Sequence, residues 1–151
     1  MPDSGPEWEV GLPDLRQFFA NFTMAELVLH VLVREMSGLS VEAAGDKFSE
    51  HSVGRMIKTA CDLAKSERDP TRRAEIEEVL HEFGKVKDFR DEIAHGLILG
   101  NRLVRSRKFI RALGAGTEAE STEVPTDIAI ANQSVQIDWL IERMMRLAGF
   151  D

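Results

Sequence analysis

The chain has 151 residues, of which 43% are hydrophobic and 30% charged, an ordinary composition for a globular protein and enough length for one sizeable core. A single cysteine, Cys61, excludes an intrachain disulfide, and the longest apolar run, Leu27–Val33, is interrupted by His30 and falls far short of a membrane span. The formal net charge of −7 argues against a nucleic-acid partner, although the distribution of charge matters more than the total.

Residues 1–12 contain Pro2, Gly5, Pro6 and Gly11 and read as a flexible N-terminal arm. The arm is acidic and lacks the charged-then-apolar layout of a signal peptide. With the lone cysteine, this predicts a cytoplasmic protein with no membrane partner. Residues 13–151 read as a single domain, with no internal repeat and no long linker.

A helix is expected from Pro13, a favoured first-turn residue, and Asp14 suits the positive end of its dipole. Leu15, Phe18, Phe19, Phe22, Ala25, Leu29, Leu32, Val33 and Met36 recur at three- and four-residue steps. Leu27, Val28 and Val31 add a second apolar strip, which predicts burial on more than one side, and Gly38 should end the helix. Ser40 precedes a short helix over Val41–Phe48, and Ser52 caps another carrying Val53, Met56, Ile57, Ala60, Leu63 and Ala64. Cys61 falls on that apolar stretch and reads as inert packing. Asp69-Pro70 opens the next long helix, with Ile76, Val79, Leu80, Phe83, Val86, Phe89 and Ile93 on its apolar face and Gly96 as its stop.

The pattern then changes. Leu97–Leu99 and Arg102–Ser106 read as a β-hairpin around a primed turn at Gly100-Asn101, with a helix over 102–113 as the alternative. Residues 114–126 are small and polar. Asp127–Ile130 suggests a short strand, and a closing helix is expected after Asn132, with Ile137, Leu140, Ile141, Met144, Leu147 and Ala148 inward and Gly149 as the stop. The fold class is therefore mainly α, an antiparallel bundle of four to five helices with a small β-hairpin before the last one.

Charge is unevenly spread. Residues 93–117 hold no Asp or Glu but include Arg102, Arg105, Arg107, Lys108 and Arg111; the rest of the chain therefore carries 14 cations against 26 acids, a balance of −12. This basic segment is a candidate RNA-binding surface or simply a solvated face. Immediately before it stands Arg90-Asp91-Glu92-Ile93-Ala94-His95. An arginine can hold a phosphate through paired N–H donors, and a histidine can move a proton near neutral pH. Asp91 and His95 are four apart and share a helix face. Arg90 and His95 are five apart and diverge by about 140°, so a second copy of the segment would help to complete a cleft. The plainer reading is that Arg90 and His95 favour the negative end of the helix dipole and bond its last carbonyls.

An arginine, a polar residue, three spacers and a histidine near the end of a long helix in a small helical domain resemble the HEPN superfamily, and the Ile93-Ala94-His95-Gly96 ending is especially similar. The resemblance spans about residues 14–150 and is sharp over six or seven of them. It implies a homodimer of a prokaryotic toxin or defence system and a metal-independent endoribonuclease that needs no cofactor. In that reading His95 handles the 2′-hydroxyl or leaving-oxygen proton, Arg90 stabilises the charged phosphate and Asp91 orients both. Candidate partners are RNA and an antitoxin or other protein. Some HEPN toxins carry a tyrosine two residues after the histidine that a partner enzyme modifies; here that position is Leu97 and the chain has no tyrosine. The resemblance also admits a catalytically silent interaction or regulatory module.

A metal-binding helical bundle is the remote alternative. Glu78–His81 and Glu92–His95 both have Glu-x-x-His spacing. Both lie on one expected helix, where His81 and His95 are about 21 Å apart and cannot share a metal pair. Glu26 and His30, four apart, could complete one site. His51 reads as a surface or loop residue. No Gly-rich phosphate loop, Cys–His zinc spacing or nucleophilic serine motif occurs.

Overall fold

The computed structural model describes residues 12–95, 97–99, 102–104 and 126–150. The elements are α1 (Leu12–Ser37), α2 (Val41–Phe48), α3 (Val53–Ala64), α4 (Pro70–His95), β1 (Leu97–Leu99), β2 (Arg102–Val104) and α5 (Thr126–Leu147). The protein is mainly helical. Apart from Leu12, the expected N-terminal arm lies outside the described residues, as do Gly96, the turn expected at 100–101 and residues 105–125.

Local chemistry sets the helix ends. The Ser40 hydroxyl accepts the Ala43 N–H at 3.1 Å, and Ser52 accepts the Arg55 N–H at 3.3 Å. Asp69 accepts the Thr71 N–H at 3.0 Å, ahead of Pro70. Each side chain satisfies a donor that the first helical turn leaves without a backbone partner. At the other ends, Gly38 has φ +68° and Gly149 φ +94°, a backbone region that costs glycine little. The Phe150 N–H donates to Met145 O at 2.9 Å and the Gly149 N–H to Arg146 O at 3.1 Å, the paired bonds of a Schellman motif.

Strands β1 and β2 pair antiparallel, with Leu97 opposite Val104, Ile98 opposite Leu103 and Leu99 opposite Arg102. The strand expected over Asp127–Ile130 does not form: these residues are the first turns of α5, which starts at Thr126. The Ile128–Ile130 alternation is too short to outweigh the helical period that continues through Ile137, Leu140 and Met144. Ile130, Ile137, Leu140 and Met144 are all buried, whereas Ile128 is exposed.

The chain packs as two compact units, one formed by residues 1–20 and 88–135, the other by 21–87 and 136–151. In the first, Phe18 is fully buried and meets Phe89 edge-on, with ring centroids 5.5 Å apart and planes at 84°. In the second, Phe22 and Phe83 meet edge-on at 5.8 Å, among Leu29, Leu32, Met56 and Leu80, all buried. The second apolar strip of α1 is covered only in part. Val28 is buried, but Leu27 is 59% exposed, because it stands about 160° round the helix from Leu29. Cys61 is half-buried; burial first, then Asp62 and Glu77, push its thiol above the ordinary range, so reactive thiolate is scarce at neutral pH.

Polar contacts also tie the second unit together. Arg72 donates to Glu67 at 3.0 Å and to the Leu147 carbonyl at 2.8 Å. The Arg143 guanidinium lies 3.1 Å from Glu75 and 3.4 Å from Glu78, and over the Trp139 ring at 4.9 Å.

Truncating Phe83 to alanine should cost about 3–5 kcal/mol, read as a lowered midpoint in urea unfolding. The Asp69 N–H, donating to Glu67 at 3.1 Å, is the main cause that holds the Glu67 carboxyl below its ordinary range, with Arg72 adding to it. Its contribution is therefore present above the ordinary glutamate value and lost as pH falls through the lower folded-state value. Glu67→Gln should flatten the acid limb of a stability–pH profile without changing its neutral limb's slope.

Candidate functional site

Helix α4 runs without a break to His95, so Arg90-Asp91-Glu92-Ile93-Ala94-His95 forms its last turns. Packing within the first unit sets their rotation: Phe89 meets Phe18 edge-on and Ile93 is buried, whereas Ala94 is exposed. With the 89/93 stripe inward, Arg90 stands on a flank and Asp91 on the side away from that stripe.

Arg90 and Asp91 are brought together. Nε of Arg90 lies 3.2 Å from Oδ1 of Asp91, with side chains 26% and 34% exposed. Neighbours in a helix point about 100° apart, so the contact depends on the long arginine bending sideways. In this state Asp91 braces Arg90 and neutralises part of its charge; a phosphate at the guanidinium would compete with that carboxylate. Position 95 follows about 40° from position 91 and about 140° from position 90. The uninterrupted helix thus preserves the i,i+4 relation of Asp91 and His95 and the divergence of Arg90 from His95.

Of the basic segment, Arg102 begins β2, paired with Leu99. Arg105, Arg107, Lys108 and Arg111 lie outside the described residues. Among the described residues no group of three or more His, Cys, Asp and Glu side chains is arranged to hold a metal ion. No described helix is long and apolar enough to cross a membrane.

A second feature lies in the other unit, where the sequence suggested only the remote metal alternative at Glu26 and His30. A cavity of about 160 Å³ is lined by His30, Val31 and Arg34 of α1, by Val41, Ala44, Gly45 and Phe48 of α2, and by Ser49. Next to it, the half-buried His51 ring meets Phe48 edge-on at 5.5 Å. Its Nδ1 is buried without a hydrogen-bond partner. Burial first, then Arg55, His30 and Lys47, hold His51 below the ordinary histidine range. The available sequence signals were the i,i+4 spacing of His30 and Arg34 and a glycine inside a short amphipathic helix.

No family model, no curated protein and no solved structure matches the chain.

Because Ile93 anchors the last turns of α4, Ile93→Ala should cost about 2–5 kcal/mol in urea unfolding followed by circular dichroism. A loss below about 1 kcal/mol would mean that these turns do not depend on its burial.

Proposed function

We propose that this chain is a HEPN-like, metal-independent endoribonuclease acting as a homodimer in a prokaryotic toxin or defence system. The observation that carries the reading is the intact helical ending of α4. It keeps a phosphate-binding arginine, a bracing carboxylate and a histidine within two turns, directly before the basic segment. One copy holds Arg90 and His95 on diverging faces, so a working cleft takes these groups from two copies.

In such a cleft the 2′-oxygen of RNA bonds to phosphorus as the bond to the 5′-oxygen breaks. One His95 accepts the 2′-hydroxyl proton and the other donates a proton to the leaving oxygen. Arg90 stabilises the charge that builds on the non-bridging oxygens. The products are a 2′,3′-cyclic phosphate and a 5′-hydroxyl. Arg102, Arg105, Arg107, Lys108 and Arg111 draw in the backbone of the RNA, and this attraction weakens with added salt.

The Arg90–Asp91 contact favours a second reading, a catalytically silent HEPN-like interaction module, because the guanidinium already has an anionic neighbour. The two readings separate in one assay. RNA is incubated with chelator-treated wild type, His95→Ala and Arg90→Ala. Cleavage to cyclic-phosphate ends should fall about 10²–10⁴-fold in His95→Ala. Equal behaviour of wild type and His95→Ala would remove the enzyme, and RNA affinity insensitive to salt would then favour the silent module.

A further inference from the structure

The α1–α2 cavity has two kinds of wall. Val31, Val41, Ala44 and Phe48 make it largely apolar, and Arg34 supplies a positive charge at one side, with the His30 imidazole four residues before it on α1. The surrounding charge continues that sign: Lys47 lies over the Phe48 ring at 5.5 Å, and Arg55, His30 and Lys47 are the charges acting on His51. This is unusual in a chain of net charge −7. Arg34 does have a carboxylate neighbour, with Nη2 3.3 Å from Glu35 Oε1, but that glutamate side chain is 47% exposed. Glu42 and Asp46 are exposed too and lie outside the wall of the cavity.

Gly45 gives an independent observation. It sits inside α2, in ordinary helical backbone, where glycine costs about 1 kcal/mol relative to alanine. A Cβ placed on it would meet no atom within 4 Å. Neither a close approach nor a positive φ therefore requires glycine at this position. Gly45 is exposed and lines the cavity, so a large side chain at this position has room to reach across it. The cavity is open to solvent, with Val41, Gly45 and Ser49 exposed, and its volume of about 160 Å³ is of the size that holds one benzene ring, about 150 Å³.

We propose that this cavity binds a small organic carboxylate with an apolar body about the size of one six-membered ring, its ring among Val31, Val41 and Phe48 and its carboxylate on Arg34 and His30. An arginine can grip both carboxylate oxygens, and apolar walls strengthen that attraction by lowering the local dielectric. The site lies in the second unit and does not depend on the ribonuclease reading.

Benzoate is the probe, titrated into the full-length protein and followed by NMR chemical-shift changes and thermal unfolding. Binding with a Kd on the order of 1 mM is expected for a ligand of about nine heavy atoms. Arg34→Gln should weaken it about tenfold or more. Gly45→Ala should raise Tm and still weaken benzoate, and Gly45→Leu should abolish binding while circular dichroism shows the helices retained. Three results would overturn the proposal: no benzoate binding at 20-fold that Kd, benzyl alcohol or inorganic phosphate binding as well as benzoate, or unchanged binding in folded Gly45→Leu.

Discussion

Edge-on aromatic contacts hold α1 against α4 inside each compact unit, Phe22 on Phe83 in one and Phe18 on Phe89 in the other. Each pair combines the burial of two large apolar side chains with a directional ring contact worth about 0.5–1.5 kcal/mol more. The directionality matters because it selects a rotation of the helix as well as a separation. In the first unit, turning Phe89 toward Phe18 leaves Arg90 on a flank and Asp91 facing away. The geometry of the candidate phosphodiester site thus follows from apolar packing one residue before it. No rotation of the helix brings Arg90 and position 95 onto one face, because the helical period fixes their divergence at about 140°; rotation would only expel Phe89 or Ile93 from its packing.

The electrostatic organisation has a similar hierarchy. Most ion pairs in the second unit are exposed and of modest value. Arg143 differs because it combines two glutamates with a ring, and Arg72 differs because its second partner is a backbone carbonyl. These arginines serve the fold and are occupied by it. Arg90 has a carboxylate neighbour as well, but at the end of a helix and next to an acid-free stretch of sequence. A phosphate at Arg90 would compete with the Asp91 carboxylate for the guanidinium.

The helices were legible because their ends carry their own chemistry. Ser40, Ser52 and Asp69 are caps in the sequence and in the structure, and Gly38 and Gly149 stop their helices through positive φ. The onset of α5 was not legible. Two isoleucines one residue apart fit a strand locally, and only burial of Ile130 with Ile137 reveals the helical period. Nor could composition tell Val28 from Leu27, both apolar and adjacent, since the side that neighbouring elements cover decides between them. At the candidate site, the position of the Arg90–His95 segment at the end of α4 was readable from spacing. The Asp91 contact with Arg90 was not, because sequence spacing points Asp91 toward position 95 and ignores the reach of a flexible arginine. The α1–α2 cavity escaped notice for a related reason: its walls come from two helices that only the fold brings together.

The bond from Arg72 to the Leu147 carbonyl joins residues 75 apart in the chain. Its consequence lies in the order in which the protein is made. Helix α4 leaves the ribosome with its first-turn arginine lacking this acceptor, and the second unit lacks residues 136–151 until synthesis has passed them. At about 5–20 residues per second, that interval lasts several seconds. Throughout it, the apolar side chains that Ile137, Leu140 and Met144 will cover stand open to solvent and to other chains. The last helix is therefore a closing piece, and the nascent chain is most vulnerable to aggregation just before it arrives.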